Sequence, residues 1–183
     1  MEKTTFKSTT ILGVRIGTKV ALGGDGQVTM GDIKMKSKAI KVRDFSNGSV
    51  LAGFAGAAAD AMSLFERFEG KLDEAHGNLQ KAVVDMAKDW RTDKILKDLD
   101  ALLAIMDNEN SYLLSGSGDV IEPDGQIISI GSGSGYAIAA AEAFLKAGIK
   151  NPKKIVDQSL NIASEICIYT NNNIKILEIK WSI

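Results

Sequence analysis

The chemistry open to this chain is narrowed by its single histidine, His76, and its single cysteine, Cys167. Any Ser-His or Cys-His mechanism within one subunit would have to use His76. That residue falls between two predicted helices, in Glu-Ala-His-Gly-Asn, which is typical of a surface loop. Cys167 continues an apolar helical stripe, and its side chain is interpreted as a small core hydrophobe. Neither residue indicates a histidine-assisted nucleophile.

Two charged residues occupy unusual positions. Asp25 lies between glycines at the end of an apolar strand, where a turn aspartate bonding its own backbone is the ordinary interpretation. Lys41 lies in a basic run that ends at Arg43 and stands between two branched aliphatic residues, so we expect it to be partly buried, with a lowered pKa. The earlier lysines of the run are interpreted as a solvated edge strand. They are Lys34, Lys36 and Lys38.

Three glycine-rich stretches raise the possibility of nucleotide binding, at Gly23–Gly26, Gly116–Gly118 and Gly131–Gly135. None of them matches the phosphate-binding loop, the dinucleotide fingerprint or the nucleophile elbow. Tight turns explain all three. The last stretch precedes a predicted helix, so its backbone N–H groups could hold an anion or an oxyanion. We expect no nucleotide to be bound by this chain.

Size and composition indicate one globular domain. The chain has 183 residues, of which 45% are apolar, and its formal net charge is −1. That charge gives no field to attract nucleic acid or anionic lipid, and no apolar run approaches the length of a membrane span. The N-terminus lacks the apolar segment of a secretory signal, so we expect a cytoplasmic protein.

Hydrophobic periodicity predicts strands, two helices, strands, two helices and a final strand. The predicted strands cover residues 10–16, 19–22, 49–55, 101–106, 111–114, 126–130 and 174–179. The first helix carries an apolar stripe at Met62, Phe65, Phe68 and Leu72, and the last runs from Asn151-Pro152 to about Tyr169. Paired helices argue against a parallel βαβ sheet and favour an α+β fold of antiparallel sheets flanked by helical layers.

An ordered set of motifs resembles the HslV family, also called ClpQ, the bacterial proteasome-like peptidase subunits. The motifs lie at 9–11, 23–27, 41–43, 51–56, 87–93, 130–133 and 165–171. They read TTI, GGDGQ, KVR, LAGFAG, AKDWRTD, IGSG and EICIYTN. The resemblance covers nearly everything from Thr9 onward.

The resemblance implies a four-layer αββα sandwich of the N-terminal-nucleophile hydrolase type. It also implies a homo-oligomer of two stacked hexameric rings, a dodecamer, under allosteric control. An HslU-type AAA+ ATPase unfoldase is the implied partner and unfolded proteins are the implied substrates. The implied activity is that of a threonine endopeptidase within an ATP-dependent protease.

The resemblance also assigns roles to individual residues. Thr9 matches the nucleophile, Asp25 and Lys41 the charged pair beside it, Gly53 the backbone donor to the oxyanion, and Ser132 a supporting hydroxyl. A structural sodium ion is implied at a loop that offers backbone carbonyls. The residues of that loop are Ser164, Cys167 and Thr170.

An N-terminal threonine makes chemical sense where histidine is scarce. Its α-amino group, with an unperturbed pKa of about 7.7–8.0, serves as a base near neutral pH. That amine exists only after cleavage between Ser8 and Thr9, so we predict a propeptide of residues 1–8 and a single peptidase domain of residues 9–183. Attack by the Thr9 hydroxyl on the Ser8 carbonyl is the simplest route, and trimming by a host peptidase is the other. Either Lys41 or the amine could be the actual base.

Two other function classes compete with the peptidase. One is a catalytically inactive, ring-forming subunit of the same fold, which the intact set of Thr9, Asp25, Lys41 and Gly53 disfavours. The other is a nucleotide-binding module, for which the chain has no motif.

Overall fold

The computed structural model describes residues 9–56, 58–93 and 101–179, and side chains are described from 61 onward in the first helix. The predicted propeptide, residues 1–8, lies outside this part of the chain, as do the last four residues of the predicted peptidase domain. Within the described residues, no helix combines the length and the apolar character needed to cross a lipid bilayer.

Two antiparallel sheets form the centre of the molecule. The first has the strand order β10-β1-β2-β11 and the second β5-β6-β7-β8-β9, and a separate two-stranded hairpin joins β3 to β4. The strands are β1 (Thr10–Ile16), β2 (Lys19–Gly24), β3 (Val28–Met30), β4 (Ile33–Lys36), β5 (Val42–Phe45), β6 (Val50–Ala55), β7 (Leu102–Met106), β8 (Ser111–Ser115), β9 (Val120–Ile121), β10 (Ile127–Gly131) and β11 (Lys175–Glu178).

Two pairs of helices cover the outer faces of these sheets. The helices are α1 (Ala58–Glu74), α2 (Leu79–Thr92), α3 (Ser134–Lys146) and α4 (Pro152–Ile166). One core cluster lies between α1, α2 and the five-stranded sheet, and another lies between α3, α4 and the four-stranded sheet. A third cluster joins the two sheets face to face. The layers are therefore α, β, β and α, as the predicted sandwich requires.

Burial on both faces explains the apolar character of the central strands. In β1, Leu12 and Val14 pack towards α3 and α4, whereas Ile11 packs into the cluster between the sheets. Every residue of β6 is buried. Such strands read as nearly continuous apolar runs rather than as alternating patterns. The polar or small residues at their ends are therefore the residues free to form a site.

Some predicted elements differ from the structure. The basic run splits into the exposed hairpin strand β4, which agrees with the interpretation of Lys34 and Lys36 as a solvated edge strand, and a stretch leading to β5, which was not predicted as a separate strand. In α1, Phe65, Phe68 and Leu72 are buried as expected, but Met62 is 68% exposed. Helix α4 ends at Ile166, short of Tyr169, because Cys167 turns to extended backbone with φ −89° and ψ 115°.

Candidate active site

Thr9 lies at the entrance to β1 and is held by its own backbone. It is buried, and its carbonyl accepts a 2.8 Å hydrogen bond from the Ser132 N–H. The neighbouring Gly131, which pairs with Thr10, has φ +94°, and a Cβ there would overlap the Thr9 carbonyl. Only glycine suits such a backbone and such a close approach. The glycine-rich stretch therefore fixes Thr9 rather than a phosphate.

Asp25 follows directly on β2 and is fully buried. Its Oδ1 accepts the Thr10 N–H at 2.8 Å, and its Oδ2 accepts the N–H groups of Gln27 at 2.9 Å and Asn171 at 3.2 Å. Its own N–H donates to the Thr10 carbonyl at 3.1 Å. The turn interpretation holds for the Gln27 contact, but the other two bonds reach distant parts of the chain. Three backbone donors thus stabilise a carboxylate beside the residue that follows Thr9.

Lys41 completes this cluster from the segment before β5. Its Nζ donates to Asp25 Oδ1 at 2.8 Å and to the Gln27 carbonyl at 2.6 Å, and the residue is only 6% exposed. Burial lowers the pKa of the Lys41 ammonium, and the Asp25 carboxylate offsets part of that effect. The predicted burial of Lys41 is confirmed, and the lowered pKa follows from that burial.

One carboxylate oxygen therefore joins two segments that are far apart in sequence. Asp25 Oδ1 accepts from both Thr10 N–H and Lys41 Nζ, so the lysine cation lies two hydrogen bonds from the backbone of residue 10. A cation in a dry environment favours the deprotonated form of nearby bases and stabilises negative charge that develops beside it. The arrangement suits activation of a nucleophile at the start of β1.

Gly53 is placed differently from its predicted role. Gly53 pairs with Ala104 of β7, whereas the Phe54 N–H donates to the Lys41 carbonyl at 3.0 Å on the side of β5. The N–H groups of successive residues in β6 therefore point alternately towards β7 and towards β5. The N–H of Gly53 consequently points into the ladder with β7 and not towards Thr9. A Cβ at Gly53 would lie 2.5 Å from Ile11 Cγ2, which shows that close packing between the sheets requires glycine here. This geometry does not support Gly53 as the oxyanion donor.

The remaining predicted residues make contacts of their own outside the Asp25–Lys41 pair. Ser132 is exposed, and its backbone N–H contacts the Thr9 carbonyl. Ser164 sits in the last turn of α4, where its Oγ donates to the Asn161 carbonyl at 2.7 Å. The buried Cys167 carries no active-site role by its thiol, and its carbonyl accepts the Thr170 N–H at 3.0 Å. His76 is exposed, with φ +52°, as a surface loop residue.

Three residues of the cluster had no predicted role. Thr10 Oγ1 lies 2.7 Å from Thr170 Oγ1 and accepts the Gly133 N–H at 3.0 Å. Gln27 donates from Nε2 to the Ile168 carbonyl at 2.8 Å. Asn171 donates to Asp25 from its backbone. The sequence gives little indication of their roles, because nothing in the local pattern shows that these polar residues are buried.

Comparisons with known proteins agree with this geometry. The sequence profile of the family described as "Proteasome subunit" matches residues 5–179. The ATP-dependent protease subunit HslV of Pseudothermotoga lettingae is 54% identical over 174 residues, which cover 95% of this chain and 99% of that protein.

Solved structures give the same result. The crystal structure of eukaryotic HslV from Trypanosoma brucei superposes with a TM-score of 0.87 at 40% identity, covering 94% of this chain and 99% of that one. Thiobacillus denitrificans BPH in complex with epoxomicin gives a TM-score of 0.75 at 17% identity, covering 95% of this chain and 100% of that one, and shares the fold alone. With the profile, the curated relative and the structure in agreement, the chain belongs to the proteasome family, within its HslV group of N-terminal-nucleophile threonine peptidases.

Proposed function

We propose that Thr9 is the nucleophile of a threonine endopeptidase and that it acts as the first residue of the mature chain. The observation that supports this most directly is the sharing of Asp25 Oδ1 by the Thr10 N–H and Lys41 Nζ, both at 2.8 Å. That oxygen joins the only deeply buried lysine among the described residues to the backbone next to Thr9.

The freed α-amino group takes the proton of the Thr9 hydroxyl as Oγ attacks the scissile carbonyl carbon. An acyl ester forms on Oγ, the peptide C–N bond breaks, and the amine returns the proton to the leaving nitrogen. Water then hydrolyses the ester. Lys41 keeps the pKa of the amine near working pH by its charge, and Asp25 holds Lys41 in place.

The oxyanion needs a backbone donor on the Lys41 side of β6. Gly56 is the first residue after β6 and lies beyond the last pair of that strand with β7, Ala55↔Leu102. Gly56 has φ +154°, which suits glycine. We therefore assign the oxyanion contact to Gly56 in place of Gly53, with the Ser132 hydroxyl as a supporting polar group.

Maturation uses the same chemistry on the chain itself. The Thr9 hydroxyl attacks the Ser8 carbonyl carbon, the Ser8–Thr9 amide bond breaks, and the proton passes to the new amine. Hydrolysis of the resulting ester releases residues 1–8. This autocatalytic route requires no second enzyme.

Partners and assembly are proposed from the HslV relationship. The relative from Pseudothermotoga lettingae is described as a subunit of an ATP-dependent protease. We propose that this chain likewise forms two stacked hexameric rings in the cytoplasm and receives unfolded protein from an HslU-type ATPase. Allosteric activation by that ATPase belongs to the same proposal.

A structural sodium ion is proposed at the loop after α4. The carbonyls in the last turn of a helix lack intrahelical partners, and Ser164 lies in that turn. Neutral carbonyl oxygens suit a hard monovalent cation, so Ser164, Cys167 and Thr170 would hold it by their backbones. The ion would fix the shape of the loop and would take no part in proton transfer.

The test is peptide hydrolysis by the parent, Thr9→Ser and Thr9→Ala. The serine variant should keep part of the activity because hydroxyl and amine survive, whereas the alanine variant should be inactive. Adding the cognate ATPase and ATP should raise the degradation of a folded protein by the parent. Equal activity of all three chains, or ATP-independent digestion of a stably folded protein, would refute the proposal, and an inactive but assembled parent would favour the ring-forming subunit.

A further inference from the structure

Asn171 is a buried amide whose polar atoms are all engaged near the charged pair. It is 9% exposed, and its Oδ1 accepts the N–H groups of Gly26 and Asn173, both at 3.1 Å. Its Nδ2 donates to the Ser37 carbonyl at 2.9 Å, and its backbone N–H donates to Asp25 Oδ2 at 3.2 Å. Three of these contacts reach backbone atoms of separate residues, Gly26, Ser37 and Asn173, and the fourth reaches the Asp25 carboxylate.

Two of those stretches present the charged pair. Gly26 directly follows Asp25, and Ser37 begins the segment that leads to Lys41. Residues 37–41 form no ladder, and the Ala39 N–H to Gly26 carbonyl bond, at 2.9 Å, is a backbone tie between the same two stretches. The Asn171 side chain supplies a second tie across the same gap. It therefore sets how the backbone that carries Lys41 meets the turn that carries Asp25.

We propose that Asn171 is a positioning residue for the Lys41–Asp25 pair, acting through the backbones of Gly26 and Ser37. The inference rests on the proposed function, since the pair matters only if Thr9 is the nucleophile. An amide side chain suits this role because its oxygen accepts the Gly26 N–H while its nitrogen donates to the Ser37 carbonyl. A carboxylate of the same shape would place an oxygen against the Ser37 carbonyl and a second negative charge beside Asp25.

The first test compares Asn171→Ala with Asn172→Ala in the full chain with its ATPase. Asn172 is the adjacent residue of the same type and is exposed. Because small misplacements of catalytic groups cost up to about a hundredfold in rate, we expect Asn171→Ala to lower kcat by roughly ten- to a hundredfold, with KM nearly unchanged. Asn172→Ala should match the parent. Equal kcat values for the two folded variants would overturn the inference.

Asn171→Asp provides a second variant that keeps the volume and both accepted bonds, should Asn171→Ala fail to fold. An added anion near Lys41 raises the pKa of neighbouring bases. The acid limb of its kcat–pH profile should therefore move to higher pH, and kcat on the plateau should still fall because a carboxylate cannot donate to the Ser37 carbonyl. Asn172→Asp, which adds the same charge at an exposed site, should keep the parental plateau and so separates the added charge from the lost positioning contact. A parental kcat and profile would refute the positioning role. An inactive parent, or an active Thr9→Ala variant, would instead refute the proposed function.

Discussion

Removal of either partner of the buried charged pair should abolish activity, but the two removals should differ sharply in stability. Asp25→Asn leaves the Lys41 ammonium in a nearly dry site without its counter-ion, and the new amide must face N–H donors from Thr10, Gln27 or Asn171. Lys41→Met leaves the Asp25 carboxylate with all three of these backbone donors. The asymmetry follows from how many contacts each charge keeps.

Breaking a buried pair by removing one partner costs about 3–5 kcal/mol when the remaining charge is uncompensated. In a domain of this size each kcal/mol lowers Tm by roughly 2–4 °C, so Asp25→Asn should lose roughly 6–20 °C. Lys41→Met loses the two hydrogen bonds of the ammonium, to Asp25 and to the Gln27 carbonyl, each worth about 1.5–3 kcal/mol, but it also removes the cost of burying the ammonium. Its loss of Tm should be the smaller of the two, because no uncompensated charge is left buried.

The assay is thermal unfolding of assembled protein for the parent, both single variants and the double variant, with peptide hydrolysis measured on the same samples. Both single variants should lose at least about a hundredfold in kcat, the magnitude of a lost electrostatic contact to the transition state. The double variant should be more stable than Asp25→Asn alone, because no buried cation remains. The reasoning is refuted if Lys41→Met unfolds at or below the Tm of Asp25→Asn.

Three other outcomes follow from the site. Burial lowers the pKa of Lys41 from its ordinary value of 10.5, so the unfolded chain binds the Lys41 proton more tightly than the folded chain does. The stability of the parent relative to Lys41→Met should therefore rise as the pH approaches 10.5. Denaturant midpoints of both proteins at pH 7 and pH 9.5 measure this difference in stability, and a difference that falls with pH would contradict the expectation. Gly131→Ala must displace the Thr9 carbonyl at φ +94°, so it should lower kcat at least tenfold at a cost of about 1–3 kcal/mol in stability, whereas Gly135→Ala, with open space around its Cβ position, should keep parental kcat. Gly53→Ala should lower stability by about 1–3 kcal/mol through its contact with Ile11 and affect kcat per folded chain little, and a selective loss of kcat would restore Gly53 to the oxyanion site.

The sequence indicated the architecture well because burial on both faces leaves long apolar runs. The strands β1 and β6 and the helix α2 have strong local signals of this kind. The short strand β9 has only two residues, and β4 is fully exposed, so neither has a hydrophobic pattern to detect. Sheet pairing, such as that between β1 and β10, is a property of the whole chain and no local pattern encodes it.

The site was only partly accessible from sequence. Lys41 could be expected to be buried because of its aliphatic neighbours, and the structure confirms it. Its meeting with Asp25 came only from the family resemblance, since spacing along the chain does not determine contacts in space. Asn171 begins a run of three asparagines, and nothing in the sequence shows that the first is buried while the next two are exposed. The direction of the Gly53 N–H could not be predicted either, because it depends on how β6 pairs with both of its neighbouring strands.

The most direct test of the N-terminal-nucleophile mechanism is the N-terminal sequence of fully active protein, with intact mass as its complement. An α-amino base exists only if Thr9 is the chain terminus, because in the translated chain that nitrogen is an amide. We predict that the active protein begins at Thr9 and that the mass lacks residues 1–8. Full activity in a chain that still begins at Met1 would contradict the mechanism, and a start at Ser8 or Thr10 would assign the nucleophile to another residue.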